Sequence, residues 1–163
     1  MNSTRRTLGL ALTALTLAGL SGCATTPQPV SIADTAARSP QLSTLSKLIG
    51  DAGLADTLRG AGPYTVFAPS DEAFKALPAK TLADLAADKA LLKSVLTYHV
   101  ISGKVTAAEV TNGNVKTLQG ANVALAKAGT FVTVEESLVV QADIAASNGI
   151  VHIIDKVMLP PKR

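Results

Sequence analysis

Few residues of this chain have types suited to chemistry, and their spacing argues against catalysis. His99 and His152 lie inside apolar runs, Tyr98-His99-Val100-Ile101 and Ile150-Val151-His152-Ile153-Ile154. With one cysteine in the chain and no His-x-x-x-His spacing, they do not make a metal set. No serine stands in a G-x-S-x-G elbow, and no glycine-rich phosphate loop is present. The lone thiol, Cys23, is committed elsewhere by its flanks, so no thiol nucleophile remains. Asp71-Glu72 is the nearest thing to a carboxylate pair. It follows Ser70, and reads as two acids at the positive end of a helix dipole beside a capping hydroxyl. No catalytic residue, metal or cofactor is therefore expected. His99 is expected to be a buried imidazole, hydrogen-bonded to Asp71 or to a neighbouring backbone group. His152 alternates with Val151 and Ile153, which assigns it to the opposite, less buried face of a strand and to no function.

Composition narrows the classes further. The 163 residues suit one domain plus a leader. Apolar residues make up 47 %, but 27 are alanine, so bulky core is scarcer than the figure suggests. The net charge of +3 includes Arg5 and Arg6. Without them 13 bases face 12 acids, so no basic face is available to release nucleic-acid counterions. Aromatics are 3 % with no tryptophan, which removes a stacking platform for bases. One cysteine excludes an internal disulfide.

The leader decides location. Arg5-Arg6 precede the apolar run Leu8 to Leu20, whose 13 residues are too few for an ordinary membrane span. Leu20-Ser21-Gly22-Cys23 then resembles a bacterial lipobox, in which the cysteine is acylated and becomes the mature N-terminus. Residues 1–22 are read as a lipoprotein signal peptide, and 23–31 as the lipidated cysteine with a small, polar, Pro-containing tether. Several acyl chains on one residue hold far better than one. The expected location is extracytoplasmic on a bacterial membrane. In a double-membraned cell Ala24, in place of Asp, permits transfer to the outer membrane. Thr4 to Leu8 loosely resembles a twin-arginine signal, and the general secretory route is preferred.

One stretch organises the rest. Tyr64-Thr65-Val66-Phe67 suits a short strand, Ala68-Pro69 ends it, and Ser70 caps a helix that buries Phe74. Before it, Ile32 to Ala37 is a short helix. Ser39-Pro40 opens another, carrying Leu42, Leu45, Leu48 and Ile49 and closed by Gly50. Leu54 to Leu58 is a third, broken by Gly60 to Pro63. After it, Thr81 to Asp84 and Thr106 to Glu109 have capping-box spacing. Asp88 to Tyr98 is a helix with Leu91, Leu92, Val95 and Leu96 as its stripe. From Val115 the period becomes two: Val115 and Thr117, Val123 to Ala126, Phe131 to Val134, Leu138 to Ala142 and Ile150 to Ile154 are strands separated by turn residues. Helices first and strands later give α+β, a compact antiparallel β unit with helices on one side, in one domain over 32–160.

Three segments together resemble the fasciclin-type domain: Thr65-Val66-Phe67-Ala68-Pro69-Ser70-Asp71-Glu72-Ala73-Phe74, the central Tyr98-His99, and Asn148-Gly149-Ile150-Val151-His152-Ile153-Ile154-Asp155-Lys156-Val157-Met158-Leu159-Pro160. The family usually carries Thr where Ser70 stands, a conservative change for a cap. The resemblance implies a wedge-shaped β-sandwich or barrel-like unit flanked by short helices. It makes Ser70, Asp71, His99, Asn148 and Gly149 structural-motif residues. It also implies an adhesion-type module without catalysis. In animal relatives the tyrosine–histidine region is linked to integrin binding, which carries to Tyr98 and His99 as candidate partner contacts. Two functions follow as expectations. One is a lipid-anchored interaction module whose partner is an envelope or cell-surface protein or a matrix polymer. The other is an envelope binder of a small molecule or lipid, which needs a concave apolar pocket.

Overall fold

The computed structural model describes residues 30–161. The expected signal peptide, Cys23 and most of the expected tether lie outside them.

Helices α1 (Ile32–Arg38), α2 (Ser43–Asp51) and α3 (Ala55–Arg59) come first, with a 3₁₀ turn at Pro40–Leu42. Strand β1 (Tyr64–Pro69) follows, then α4 (Asp71–Lys75), α5 (Ala79–Ala87) and α6 (Lys89–Tyr98). The remaining strands are β2 (Val100–Ser102), β3 (Gly113–Lys116), β4 (Asn122–Ala128), β5 (Phe131–Val134), β6 (Ser137–Ala146) and β7 (Gly149–Ile154). They hydrogen-bond in the order β2-β1-β7-β6-β5-β4-β3. A bridge between Ile101 and Thr117 joins the two ends and rolls the sheet into a near-barrel. The class is α+β, as expected, with one departure: β1 and β7 run parallel, Tyr64 opposite Gly149 through Pro69 opposite Ile154. Both strands are near-continuous apolar runs because both of their faces are covered.

Two cores account for that double burial. Val66, Ala68, Val151 and Ile153 pack against the helices, with Leu45, Leu58, Leu92 and Leu96 among their neighbours. Phe67 and Ile154 point the other way, into a barrel interior shared with Tyr98, Val123, Val134 and Met158. His152 does face opposite to Val151 and Ile153, but that face is the barrel interior. The residue is 2 % exposed, which corrects the expectation of a less buried position. A period-two argument finds the face of a strand, not what covers it.

Ser70 Oγ accepts the Ala73 N–H at 3.2 Å and so caps α4. Ala68-Pro69 do end β1, as its last two residues, and Pro69 is buried. The N–H groups of Tyr64 and Ser70 point towards β7, and that of Phe67 donates to His99 O on the other side. Alternation puts the Pro69 nitrogen on that second side, past the end of β2, where no donor is needed. The α2 helix closes at Gly53, not Gly50. Gly53 has φ +65°, and the Gly53 and Leu54 amides donate to Gly50 and Ile49 carbonyls, a Schellman closure. Ser39 makes no side-chain cap for the following turn. Thr81 lies within α5, which starts two residues earlier at Ala79. Thr106 and Glu109 do exchange their reciprocal box bonds, but around a turn. Leu91 faces solvent at 38 % exposure, so the α6 stripe runs through Leu92, Val95 and Leu96. Val30 and Ser31, assigned above to the tether, are built into the fold. Val30 O accepts from Ser147 N–H at 2.9 Å, and Ser31 caps α1.

Gly149 exists to let β7 approach β1: a Cβ there would overlap Tyr64 O. Gly149→Ala should lower stability by about 3 kcal/mol or more, since backbone on both sides must shift. Gly50→Ala, in open space within α2, should instead add about 0.5–1 kcal/mol. Urea unfolding of both variants checks the pair.

Candidate functional site: the tyrosine–histidine corner

The corner where α6 passes into β2 is built by His99. Its backbone N–H closes α6 on the Val95 and Leu96 carbonyls, and its own carbonyl accepts from Phe67 N–H at 2.9 Å. The imidazole Nδ1–H donates to Val95 O at 2.7 Å. Nε2 accepts from Met158 N–H at 3.0 Å. Those two bonds require the neutral ring with its proton on Nδ1. Helix α6, strand β1 and the segment after β7 are thus tied through one residue. Of the two expected partners, the backbone is the real one. Asp71 is not, because its carboxylate is turned to α2.

Burial pushes the His99 pKa down to about 4, the bond to Val95 O only partly opposing it. The folded value lies below the unfolded one, so the unfolded chain binds more protons between pH 4 and 6.5. The stability contributed is complete above about pH 6.5 and is lost as pH falls towards about 4. His152 shifts in the same direction, chiefly by burial. Its Nε2–H donates to Val105 O at 2.9 Å, its Nδ1 accepts from Asp143 N–H at 3.2 Å, and its ring stacks on Phe67.

Tyr98, also buried, points its hydroxyl at Asn122 O, 3.3 Å away, with Glu135 Oε1 at 3.4 Å. Burial raises its pKa, and the Glu135 charge adds to the rise. Beside that hydroxyl a surface cleft of about 340 Å³ opens between Glu135, Lys156 and Leu159. The candidate partner contacts at Tyr98 and His99 are therefore corrected in kind. His99 offers no surface, and Tyr98 borders the cleft from beneath.

Asp71 has a role that its neighbourhood in sequence conceals. It opens α4, yet its carboxylate accepts from Ser43 Oγ–H at 2.6 Å and Thr44 N–H at 2.8 Å, capping α2 from 27 residues away. Burial works against its charge, but these bonds outweigh it and hold the carboxyl below its usual range. Asn148 does comparable work at the other end of the strands. Its side chain accepts from Ile32 N–H and donates to the Leu58 and Gly60 carbonyls, at 3.0, 2.7 and 2.8 Å. Among the described residues no group of three or more His, Cys, Asp or Glu is placed to hold a metal ion, and no helix is long and apolar enough to cross a membrane.

The three motif segments therefore converge on one β1–β7 frame, and the comparison with known sequences agrees: the Fasciclin domain model matches residues 40–160. The chain belongs to the Fasciclin domain family. It is 42 % identical over 140 residues to Protein sll1483 of Synechocystis, covering 85 % of this chain and 78 % of that protein. It is 40 % identical to Immunogenic protein MPB70 of Mycobacterium bovis, covering 82 % and 69 %. It is 42 % identical to Cell surface glycolipoprotein MPB83 of the same species, covering 80 % of this chain and 60 % of that one. Among solved structures, a FAS1 domain pair from the insect cell adhesion molecule Fasciclin I superposes with TM-score 0.64 at 18 % identity, over 80 % of this chain and about half (51 %) of the pair. At that identity the likeness shows the fold.

Two outcomes follow for the corner. His99→Ala removes both ring hydrogen bonds, strands the Met158 N–H and leaves a cavity, so it should cost about 2–4 kcal/mol by urea unfolding at pH 7. Stability of the unaltered protein should be flat from about pH 6.5 to about pH 9 and fall by on the order of 3 kcal/mol towards pH 4 through His99 alone. In His99→Ala the dependence over that window should shrink.

Proposed function

We propose that this chain is a membrane-anchored, extracytoplasmic interaction module of adhesion type. It is held by acyl chains on Cys23 and binds an envelope or cell-surface protein or a matrix polymer without catalysis. The observation that carries this reading is how the polar interior is used. Every buried side-chain nitrogen and oxygen among the described residues has a hydrogen-bond partner, so the titratable groups of the motif are spent on the fold. What is left for a ligand is outer surface. Phe131, Val140 and Leu159 stand 63, 57 and 49 % exposed. The family supports a binding role, as do relatives named a cell surface glycolipoprotein and a cell adhesion molecule. The small-molecule alternative needs a concave apolar pocket. Phe67, Tyr98, Val123, Val134 and Met158 occupy the barrel interior where one would lie, which favours the first reading.

Crosslinking of the acylated protein in its native cells, with mass spectrometry of the captured species, tests the proposal. Recurrent capture of one surface protein or polymer fragment is expected. It should be lost in Val140→Asp or Leu159→Asp and kept in Cys23→Ser protein retained in the envelope. Capture of abundant envelope neighbours alone, unaffected by those substitutions, would contradict it. A copurifying small ligand in native mass spectrometry would then favour the alternative.

A further inference from the structure

The chain enters the fold at one pole of its strands. Val30 is held at the pole where β1 and β7 begin: its carbonyl accepts from Ser147 N–H in the β6–β7 turn. Next to it, Ile32 N–H donates to Asn148 Oδ1. The Ser102–Lys104 turn lies at the same pole, because Gly103 N–H donates to Pro63 O. The opposite pole holds the β5–β6 turn at Glu135-Glu136, the exit from β7 and the first turn of α4. Between the poles runs β6, ten residues long. Two register shifts set its residues Val139–Ala146 against the shorter run Gly149–Ile154, so at strand rise it spans about 23 Å.

Seven peptide steps separate Cys23 from Val30. Even fully extended they reach no more than about 25 Å. If the far pole sat on the bilayer, Val30 would stand more than about 20 Å above it, a height that an acylated Cys23 meets only with the tether near full extension and well beyond the roughly 15 Å that a relaxed tether spans. Charge acts in the same sense. The two clefts at the far pole carry Asp71, Glu72, Glu135, Glu136 and Asp155 against Lys75 and Lys156. An anionic leaflet repels that surface. The near pole instead exposes Lys104, beside Pro63 and Asn148.

We infer that in the anchored protein the pole bearing Val30, Asn148 and Lys104 faces the lipid surface, and the pole bearing Glu135, Glu136 and Leu159 is turned away from it. The inference rests on the anchor reading above. It leaves the cleft beside Tyr98 presented outward, the direction from which an envelope partner arrives.

Because acylation consumes the chain's one cysteine, Lys104→Cys and Glu136→Cys each introduce a single free thiol for a fluorophore. The acylated proteins are reconstituted in phosphatidylethanolamine–phosphatidylglycerol vesicles containing headgroup-nitroxide lipid. Loss of fluorescence is expected for the label at position 104 and little or none for the label at 136. Equal quenching, or stronger quenching at 136, in protein whose intact mass shows its acyl chains would overturn the orientation alone. An intact mass without acyl chains, with no flotation on vesicles, would overturn the anchor and the orientation together.

Discussion

The parallel pairing of β1 with β7 is the constraint on which the rest of this structure depends. The two strands come from opposite halves of the domain sequence, and each is covered on both faces. Their helix-side residues complete one core and their barrel-side residues complete the other. Neither core can form without them. Such non-local contacts repay their loop-closure entropy only once they are made. The residues that secure the pair are accordingly specific: a glycine that allows contact, an asparagine whose side chain replaces missing backbone partners, and a histidine whose two ring nitrogens meet two different segments.

Seen this way, the family motif is an instruction for assembly. Ser70 caps the helix that leaves β1, and Asp71 reaches back to cap α2. Asn148 fastens α1 and the end of α3 to the start of β7. His99 fastens α6 to β1 and to the chain beyond β7. Buried polar groups are costly unless fully satisfied, and satisfied ones fix a unique arrangement. In the proposed reading, function then falls to the surface that this frame displays.

Much of the fold was legible in the sequence because its signals are local. The strand, proline and cap from Tyr64 to Ser70 and the alternation from Val115 onward depend on residues a few positions apart. So does the helix from Asp88 to Tyr98. What was not legible depended on distant segments. Nothing beside Asp71 shows that Thr44 needs an acceptor. Nothing beside His152 shows that the barrel interior, not solvent, covers its face. The parallel direction of β1 and β7 follows from topology, although their unbroken apolar runs were a usable sign. Tyr98 and His99 mark the helix–strand corner in the sequence, but side-chain type alone does not separate a contact from a core residue.

Native-state hydrogen exchange read by NMR tests the central claim most directly. If the β1–β7 pair holds both cores, the amides of Tyr64, Phe67 and Ser70, bonded to Asn148, His99 and Ile154 carbonyls, should open only with global unfolding. Their opening free energies should then equal the global stability from urea. Amides on β3 and the β4–β5 hairpin should open at lower cost. Exchange of the β1 amides through local openings, with the β4–β5 hairpin the last to open, would contradict the account.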